Sequence, residues 1–575
     1  MERSASLPSR DRVNRLLFLS HVSMYCVFLL TVSCALTVYC EPIRTPDGSP
    51  AVISVDATRL SSTKNPSTAG DQVTLIALVV PPPGSSSTPT GSVTFWDGLN
   101  PLGTSALGNG TATLDITFSD PGSHFIAAEY NGDSSFSPSI SPVLTQVVLR
   151  PPPVFSVLYK FCSLSQCADG YNPLGALVRD GAGNLYGTTY AGGSTFGTYD
   201  NGGGTVFKVN TAGHEIVLHN FCSAANCADG QLSYAGLILD SAGNLYGTTS
   251  QGGANNWGTV FKINMNGQES VLYSFCSAAN CADGQLPYAG LIRDGAGNLY
   301  GTTTSGGANN GGTVFKLDAA GHETVLYSFC SATNCTDGQL PYAGLIQDAA
   351  GNLYGTTYGG GAIGAGNFPG GTVFKLDTAG HETVLYSFCS AANCTDGKQP
   401  YAGLVMDDAG NLYGTTSGGG AHGFMNTVGG TAFKLDPSGH EKVLHSFCST
   451  GGVQCTDGEM PLGGLVLDSA GNLYGTTAFG GANELISGNG IGVVFRVTVK
   501  GEETVLYNFC SALNCSDGLL PYASLIQDAE GNLYGTTSGG GIFDPNCAGA
   551  FSCGTVFKLA FSRQADRDGA DHHNE

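Results

Sequence analysis

Two rhythms of apolar and polar residues divide this chain. From 51 to 149, short runs such as "AVISVDATRL", "QVTLIALVV", "GSVTFWDG" and "VLTQVVL" alternate between proline and glycine punctuation. Period-two alternation interrupted by turn signals predicts an antiparallel β-sandwich. From 155 to 561 a longer period takes over. The phrase "GNLYGTT" returns with its asparagine at Asn184, Asn244, Asn298, Asn352, Asn411, Asn472 and Asn532, at intervals of 54 to 61 residues. A period of that size marks a repeat architecture. Around Asn352 the unit offers four strand-like runs, "AGLIQ", "NLYGTT", "GTVFKL" and "ETVLYSF". The joints "DAAGN" and "DTAGHE" supply Asx hydrogen bonding and a glycine for positive φ, which predicts tight hairpins.

A four-stranded sheet with two apolar faces cannot bury both alone, whereas copies stacked around an axis can. The phase of the repeat favours a closed ring over an open solenoid. The region opens with "VFSVLYKF", a fourth strand without its first three, and closes with "GTVFKLAF", a third strand without its fourth. Joining the two completes a seventh blade.

The text "PTGSVTFWDG", with "LGTSAL", "GTATL" and "PGSHFIAAEYNGDSSFSPSIS" after it, resembles a bacterial Ig-like domain of the group 3 type. That resemblance implies a spacer or adhesive module and carries no catalytic residues. The repeat text "GNLYGTT..GG....GTVFKL...G.ETVLYSF" resembles the GloVer tandem repeat of exported bacterial proteins. It implies a surface or secreted location and no established chemistry. Members often end in a sorting or anchoring segment, where this chain has the polar "ADRDGADHHNE". The expected fold is all-β, an Ig-like β-sandwich followed by a seven-bladed β-propeller closed by the N-terminal strand of the repeat region. The expected layout is 1–40 signal peptide or signal anchor, 41–50 linker, 51–149 Ig-like sandwich, 150–154 proline-rich linker, 155–561 propeller and 562–575 polar disordered tail.

Arg3, Arg10, Arg12 and Arg15 precede the apolar run 16–39, the pattern of an export signal. Cleavage near "SCA" (33–35) would free the chain; an uncleaved run is long enough to span a bilayer. Either outcome predicts an extracellular or cell-surface protein, touching membrane only through residues 16–39. Composition narrows the partners. The net charge is −22 and only 12% of the 575 residues are charged. Nucleic acid requires a cationic surface, and none is supplied.

The cysteines beyond the export segment fall into eight local pairs: Cys162 with Cys167, Cys222 with Cys227, Cys276 with Cys281, Cys330 with Cys335, Cys389 with Cys394, Cys448 with Cys455, Cys510 with Cys515 and Cys547 with Cys553. In an exported chain these predict disulfides. A zinc site would need two further ligands beside a pair, and none recurs at a suitable place in the repeat. The Asp of each "CADG" and the Asp before each "AGN" predict turns rather than calcium ligands, because neither loop has dense alternating oxygens. His214, His322, His381 and His440 fall in hairpin turns. Asp200, Glu459, Glu484 and Asp544 break the repeat, but nothing in the sequence pairs them as acid and base. No cofactor is expected.

Binding has the better case. In a propeller the cysteine loop and the variable glycine-rich loop emerge on one face. Tyr234, Tyr288, Tyr342, Tyr401 and Tyr522 sit at the entry to the first strand, with Leu174 and Leu462 at the equivalent places in the other two units. They could contact a ligand at the channel mouth or fill gaps between blades. The expected function is non-enzymatic recognition of a glycan or protein. The alternatives are a secreted polysaccharide-acting enzyme and a purely structural envelope component.

Overall fold

The structure is a computed structural model describing residues 55, 57–194, 202–362, 370–422, 429–449, 455–483, 490–542, 547 and 553–561. The expected export segment 1–40, linker 41–50 and tail 562–575 lie outside the described residues, as do Asp200, Glu484 and Asp544. Among the described residues no helix is long and apolar enough to cross a membrane. The chain divides into two compact units, Met1–Arg150 and Pro151–Glu575.

The first unit is a two-sheet β domain. One sheet orders Ala57–Ser62, Gln72–Val80 and Thr111–Thr117; the other is built on Leu144–Leu149, Gly122–Tyr130, Ser92–Asp97 and Asn100–Ala106. Alternation does what the sequence predicts. Val73, Leu75, Ala77 and Val79 point inward from one strand and meet Val93, Phe95, Ile126, Ala128 and Tyr130 from the other sheet. This core holds without cysteine.

The second unit contains, among the described residues, seven four-stranded antiparallel sheets. In the fourth sheet the strands are Ile346–Gln347, Leu353–Thr357, Thr372–Leu376 and Glu382–Ser387. The first strand is shorter than "AGLIQ" suggested, because its Ala-Gly half bonds to a neighbouring sheet. Thr302 Oγ1 donates to the Ala343 carbonyl at 3.0 Å, and Thr356 Oγ1 to that of Ala402. The seventh sheet takes its fourth strand from the start of the region, with Val154–Lys160 antiparallel to Thr555–Ala560. The strand therefore begins one residue inside the expected 150–154 linker.

Sheets stack through phenylalanines. The Phe that follows each fourth strand packs edge-on against the Phe of the next sheet's third strand, as in Phe329–Phe374 at 5.0 Å. Phe161 and Phe207 repeat the contact at 4.9 Å between the seventh sheet and the first. The glycine of "GNLYGTT" is explained here. A Cβ on Gly355 would stand 2.7 Å from the Phe374 ring and 3.0 Å from Leu345.

Hairpin chemistry follows the motif. Asp348 accepts the backbone N–H groups of Ala350 (2.9 Å) and Asn352 (2.8 Å) on one oxygen. Its other oxygen accepts from the Asn352 amide and the Tyr354 hydroxyl. Burial pushes this carboxyl upward, but the Asn352 and Tyr354 bonds outweigh it and hold Asp348 below its ordinary value.

Candidate ligand-binding site

The cysteine loop is built before the site it supports. Cys330 and Cys335 both take positive φ, +63° and +53°, and are joined by a disulfide. The aspartate of "CTDG" does more than form a turn. Asp337 accepts from the Ser331 N–H (2.8 Å), the Ser331 hydroxyl (2.9 Å) and the Tyr327 hydroxyl (2.8 Å), tying the loop to the preceding strand. His445 replaces the tyrosine at Asp457, 3.1 Å away. The loop then pairs with the stem of the variable loop, Gln339 N–H to the Gly359 carbonyl and Tyr358 N–H to that of Leu340. The clipped loop and the stem of the variable loop therefore run side by side.

The same bridge recurs around the repeat, and all eight expected disulfides are formed. Cys162 is bonded to Cys167, Cys222 to Cys227, Cys276 to Cys281 and Cys330 to Cys335. Cys389 is bonded to Cys394, Cys448 to Cys455, Cys510 to Cys515 and Cys547 to Cys553. The positive φ recurs with them, at +52° for Cys227, +52° for Cys281, +53° for Cys394 and +50° for Cys515. Sequence spacing placed no further ligand beside any pair. The fold does so once with cysteine alone, bringing Cys162, Cys167, Cys547 and Cys553 together with all four sulfurs within 4.8 Å.

The chain next approaches the first strand of the sheet at Tyr342. Tyr234, Tyr288, Tyr342, Tyr401 and Tyr522 line one cavity of about 560 Å³, together with Leu174 and Leu462. All seven equivalent positions thus line the same space, and the tyrosine rings also touch one another across neighbouring sheets. Aromatic contacts run continuously along one side: Tyr190–Tyr234 and Tyr234–Tyr288 at 4.7 Å, Tyr288–Tyr342 at 5.7 Å, Tyr342–Tyr401 at 5.0 Å and nearly parallel. Leu174, Leu462 and Met460 add aliphatic surface to the lining, which Tyr522 and Ser417 complete with Tyr358.

Among the described residues, no acid or base lines this cavity. Burial pushes the Tyr401 hydroxyl up to about 12 and those of Tyr288 and Tyr522 upward, so the phenols remain neutral donors. Two residues further along, the segments that lead into the first strands run close together. A Cβ on Gly344 would lie 3.3 Å from the Gly290 carbonyl, and one on Gly403 3.4 Å from that of Gly344.

Tyr358, Ser417 and Met460 line the cavity and escaped sequence reasoning. A signal existed for two of them. The residue after "GTT" varies as Tyr190, Ser250, Thr304, Tyr358, Ser417, Ala478 and Ser538, where the preceding text is fixed.

The other candidates separate from the cavity. His322, His381 and His440 are exposed turn residues, each beside an aspartate four residues earlier. His214 likewise occupies a turn, its N–H donating to Asn210. Glu459 is partly buried, which raises its pKa, and lies beside Cys448 and Cys455 rather than in the cavity.

A second array was also missed. Glu215, Glu269, Glu323, Glu382, Glu441 and Glu503 each open a fourth strand, and each keeps one buried carboxyl oxygen without a hydrogen-bond partner among the described residues. Burial raises Glu215 to about 8 and the other five to about 7. The recurring Glu at the head of the fourth strand was the available signal.

A sequence model described as the Gloeobacter/Verrucomicrobia repeat matches residues 147–291 and 276–455, and the bacterial Ig-like domain (group 3) matches 60–149. No curated protein matches the chain. Among solved structures, a protein of unknown function from Bacteroides thetaiotaomicron is 13% identical, aligns over 89% of this chain and all of its own, and has a TM-score of 0.36. The extracellular domain of a protein assigned to a hybrid two-component system of the same organism is 12% identical. It aligns over 70% of this chain and 39% of its own, with a TM-score of 0.41.

Proposed function

The chain belongs to the Gloeobacter/Verrucomicrobia repeat family, and from that premise we propose that it is an exported, non-enzymatic binding protein. Its repeats close into a seven-bladed propeller whose tyrosine-lined mouth takes an uncharged glycan. Three relations support closure: the strand shared by Val154–Lys160, the Phe161–Phe207 contact, and a Thr536 hydroxyl donating to the Gly175 carbonyl. Eight disulfides and an Ig-like domain suit an oxidising, extracellular setting. The run 16–39 would direct export, cleaved or retained as an anchor.

One observation carries the binding reading. Five tyrosines from five sheets converge on a single cavity that, among the described residues, no charged side chain enters. Sugar rings present C–H faces that pack on aromatic rings and hydroxyls that bond to phenols. A protein ligand would have to offer a similarly uncharged side chain to the same mouth. The polysaccharide-cleaving alternative needs a carboxylate pair at the ligand, and no carboxylate among the described residues lines the cavity.

A neutral-glycan array probed with the whole chain tests this, followed by titration of the best glycan against the Tyr342→Ala/Tyr401→Ala variant. Binding that is lost in the variant supports the reading. Silence across the array, or binding indifferent to both tyrosines, would sink it.

A further inference from the structure

Seven of the eight disulfides repeat one bridge at the same place in every unit, and the eighth does not. Cys547–Cys553 belongs to the seventh unit alone and sits against Cys162–Cys167, the bridge that follows the shared strand Val154–Lys160. The Cys167 and Cys547 sulfurs lie 4.0 Å apart, although 380 residues separate them in the chain. All four cysteines are buried, none more than 5% exposed. Among the described residues this is the one place where two cysteine pairs meet.

We propose that these four cysteines act as one exchangeable unit, which can join the first turn of the repeat region covalently to its last. A small thiolate such as glutathione, or an isomerase cysteine, attacks Cys162 and releases the Cys167 thiolate. That thiolate attacks Cys547, breaking the Cys547–Cys553 bond and forming Cys167–Cys547. The freed Cys553 thiolate then attacks the mixed disulfide at Cys162, forming Cys162–Cys553 and returning the small thiolate. Two disulfides become two others, with no net oxidation. Burial confines the exchange to folding, while a thiol can still reach the sulfurs.

The consequence concerns the joint that would close the proposed ring. The local bridges close loops of five and six residues and put no covalent link between the two ends of the repeat region, which noncovalent contacts alone hold. A Cys167–Cys547 bridge closes a loop of 380 residues, and a longer loop constrains the unfolded chain more. The equivalent bridge elsewhere, such as Cys330–Cys335, could not do this because no second pair adjoins it among the described residues.

Refolding the whole chain in a glutathione redox buffer, then mapping peptides without reductant, tests the proposal. The expected result includes peptides linking the segment of Cys162 and Cys167 to the segment of Cys547 and Cys553, with the other six bridges always local. Cys553→Ala gives a second reading independent of added thiol. Its unpaired Cys547 should capture Cys167 and leave Cys162 as the free thiol, whereas Cys335→Ala should leave Cys330 free and uncoupled. Only local pairs in the wild-type map, together with a free Cys547 in the variant, would overturn the idea.

Discussion

The Thr536 hydroxyl donates to the Gly175 carbonyl at 3.4 Å across 361 residues of chain, repeating what Thr302 does to Ala343 at 3.0 Å between adjacent units. The last sheet thus treats the first as its next neighbour. Thr536 is buried, so Thr536→Val removes one donor and leaves an acceptor to find another. The expected cost is about 1 kcal/mol in denaturant unfolding. Deleting Val154–Lys160 should do far more, since it strips the partner from Thr555–Ala560 and exposes a sheet edge. A deletion variant that stays monomeric with an unchanged midpoint would argue against closure.

Gly355→Ala tests the packing of a single sheet. The added methyl would meet the Phe374 ring at 2.7 Å, in a core where neither Phe374 nor Leu345 has room to retreat. Overpacking of this kind costs about 1–3 kcal/mol. Thermal unfolding of the variant should show a lower midpoint, and the glycine is dispensable if it does not.

What the sequence disclosed depended on repetition. "GNLYGTT" and its turn residues were legible because local chemistry fixes them: Asp348, Asn352 and Tyr354 form one hydrogen-bonded unit within seven residues. The tyrosine entry positions were legible because five of seven copies agree. Met460 was not, because it reaches the cavity from a single copy, and Tyr358 and Ser417 left only the weak signal of a variable residue after "GTT". The meeting of Cys167 with Cys547 was invisible for another reason. It follows from bringing the two ends of the region together, and no local spacing encodes a contact across 380 residues.

The clipped loop depends on Asp337. Asp337→Ala would leave the Ser331 N–H and the Tyr327 hydroxyl without the carboxylate that now accepts from each at 2.8 Å. Leaving such donors unpaired costs about 1–3 kcal/mol. Tyr327→Phe removes the hydroxyl's bonds to Asp337 and to the Ser331 hydroxyl but keeps the Ser331 N–H bonded to the carboxylate, and should cost less. Hydrogen exchange at Ser331 should accelerate in Asp337→Ala while the strand Thr372–Leu376 stays protected.

Stability should fall as pH rises from mildly acidic to mildly basic. The six strand-opening glutamates have an ordinary value of 4.5, and burial raises it in the folded chain to about 8 for Glu215 and about 7 for the rest. Between those values the native state binds more protons than the unfolded one, so the slope of stability with pH is negative. This contribution is complete below about 4.5 and disappears as pH climbs through 7 to 8. Asp229 and Asp457 act oppositely, because their hydrogen bonds outweigh burial and lower them from 3.8; their support is lost only in stronger acid. Denaturation midpoints measured from pH 5 to 8 should therefore decline, and replacing all six glutamates with Gln should flatten the decline. A wild-type midpoint that rises over that range would contradict the assignment.

The tyrosine mouth makes a final, graded prediction. Tyr342 and Tyr401 stack at 5.0 Å with planes 19° apart, presenting a flat aromatic wall to the cavity. If a sugar packs on that wall, the ring faces matter more than the hydroxyls. Tyr401→Phe should then retain most of the affinity. Tyr401→Ala should lose on the order of tenfold, since one aromatic contact contributes about 0.5–1.5 kcal/mol beyond its area. Leu462→Tyr should shift selectivity toward smaller glycans by extending the aromatic wall into the aliphatic side. Isothermal titration with one glycan and its shorter homologue separates these effects. Equal losses for Tyr401→Phe and Tyr401→Ala would show that the phenol hydroxyl, rather than the ring face, holds the ligand.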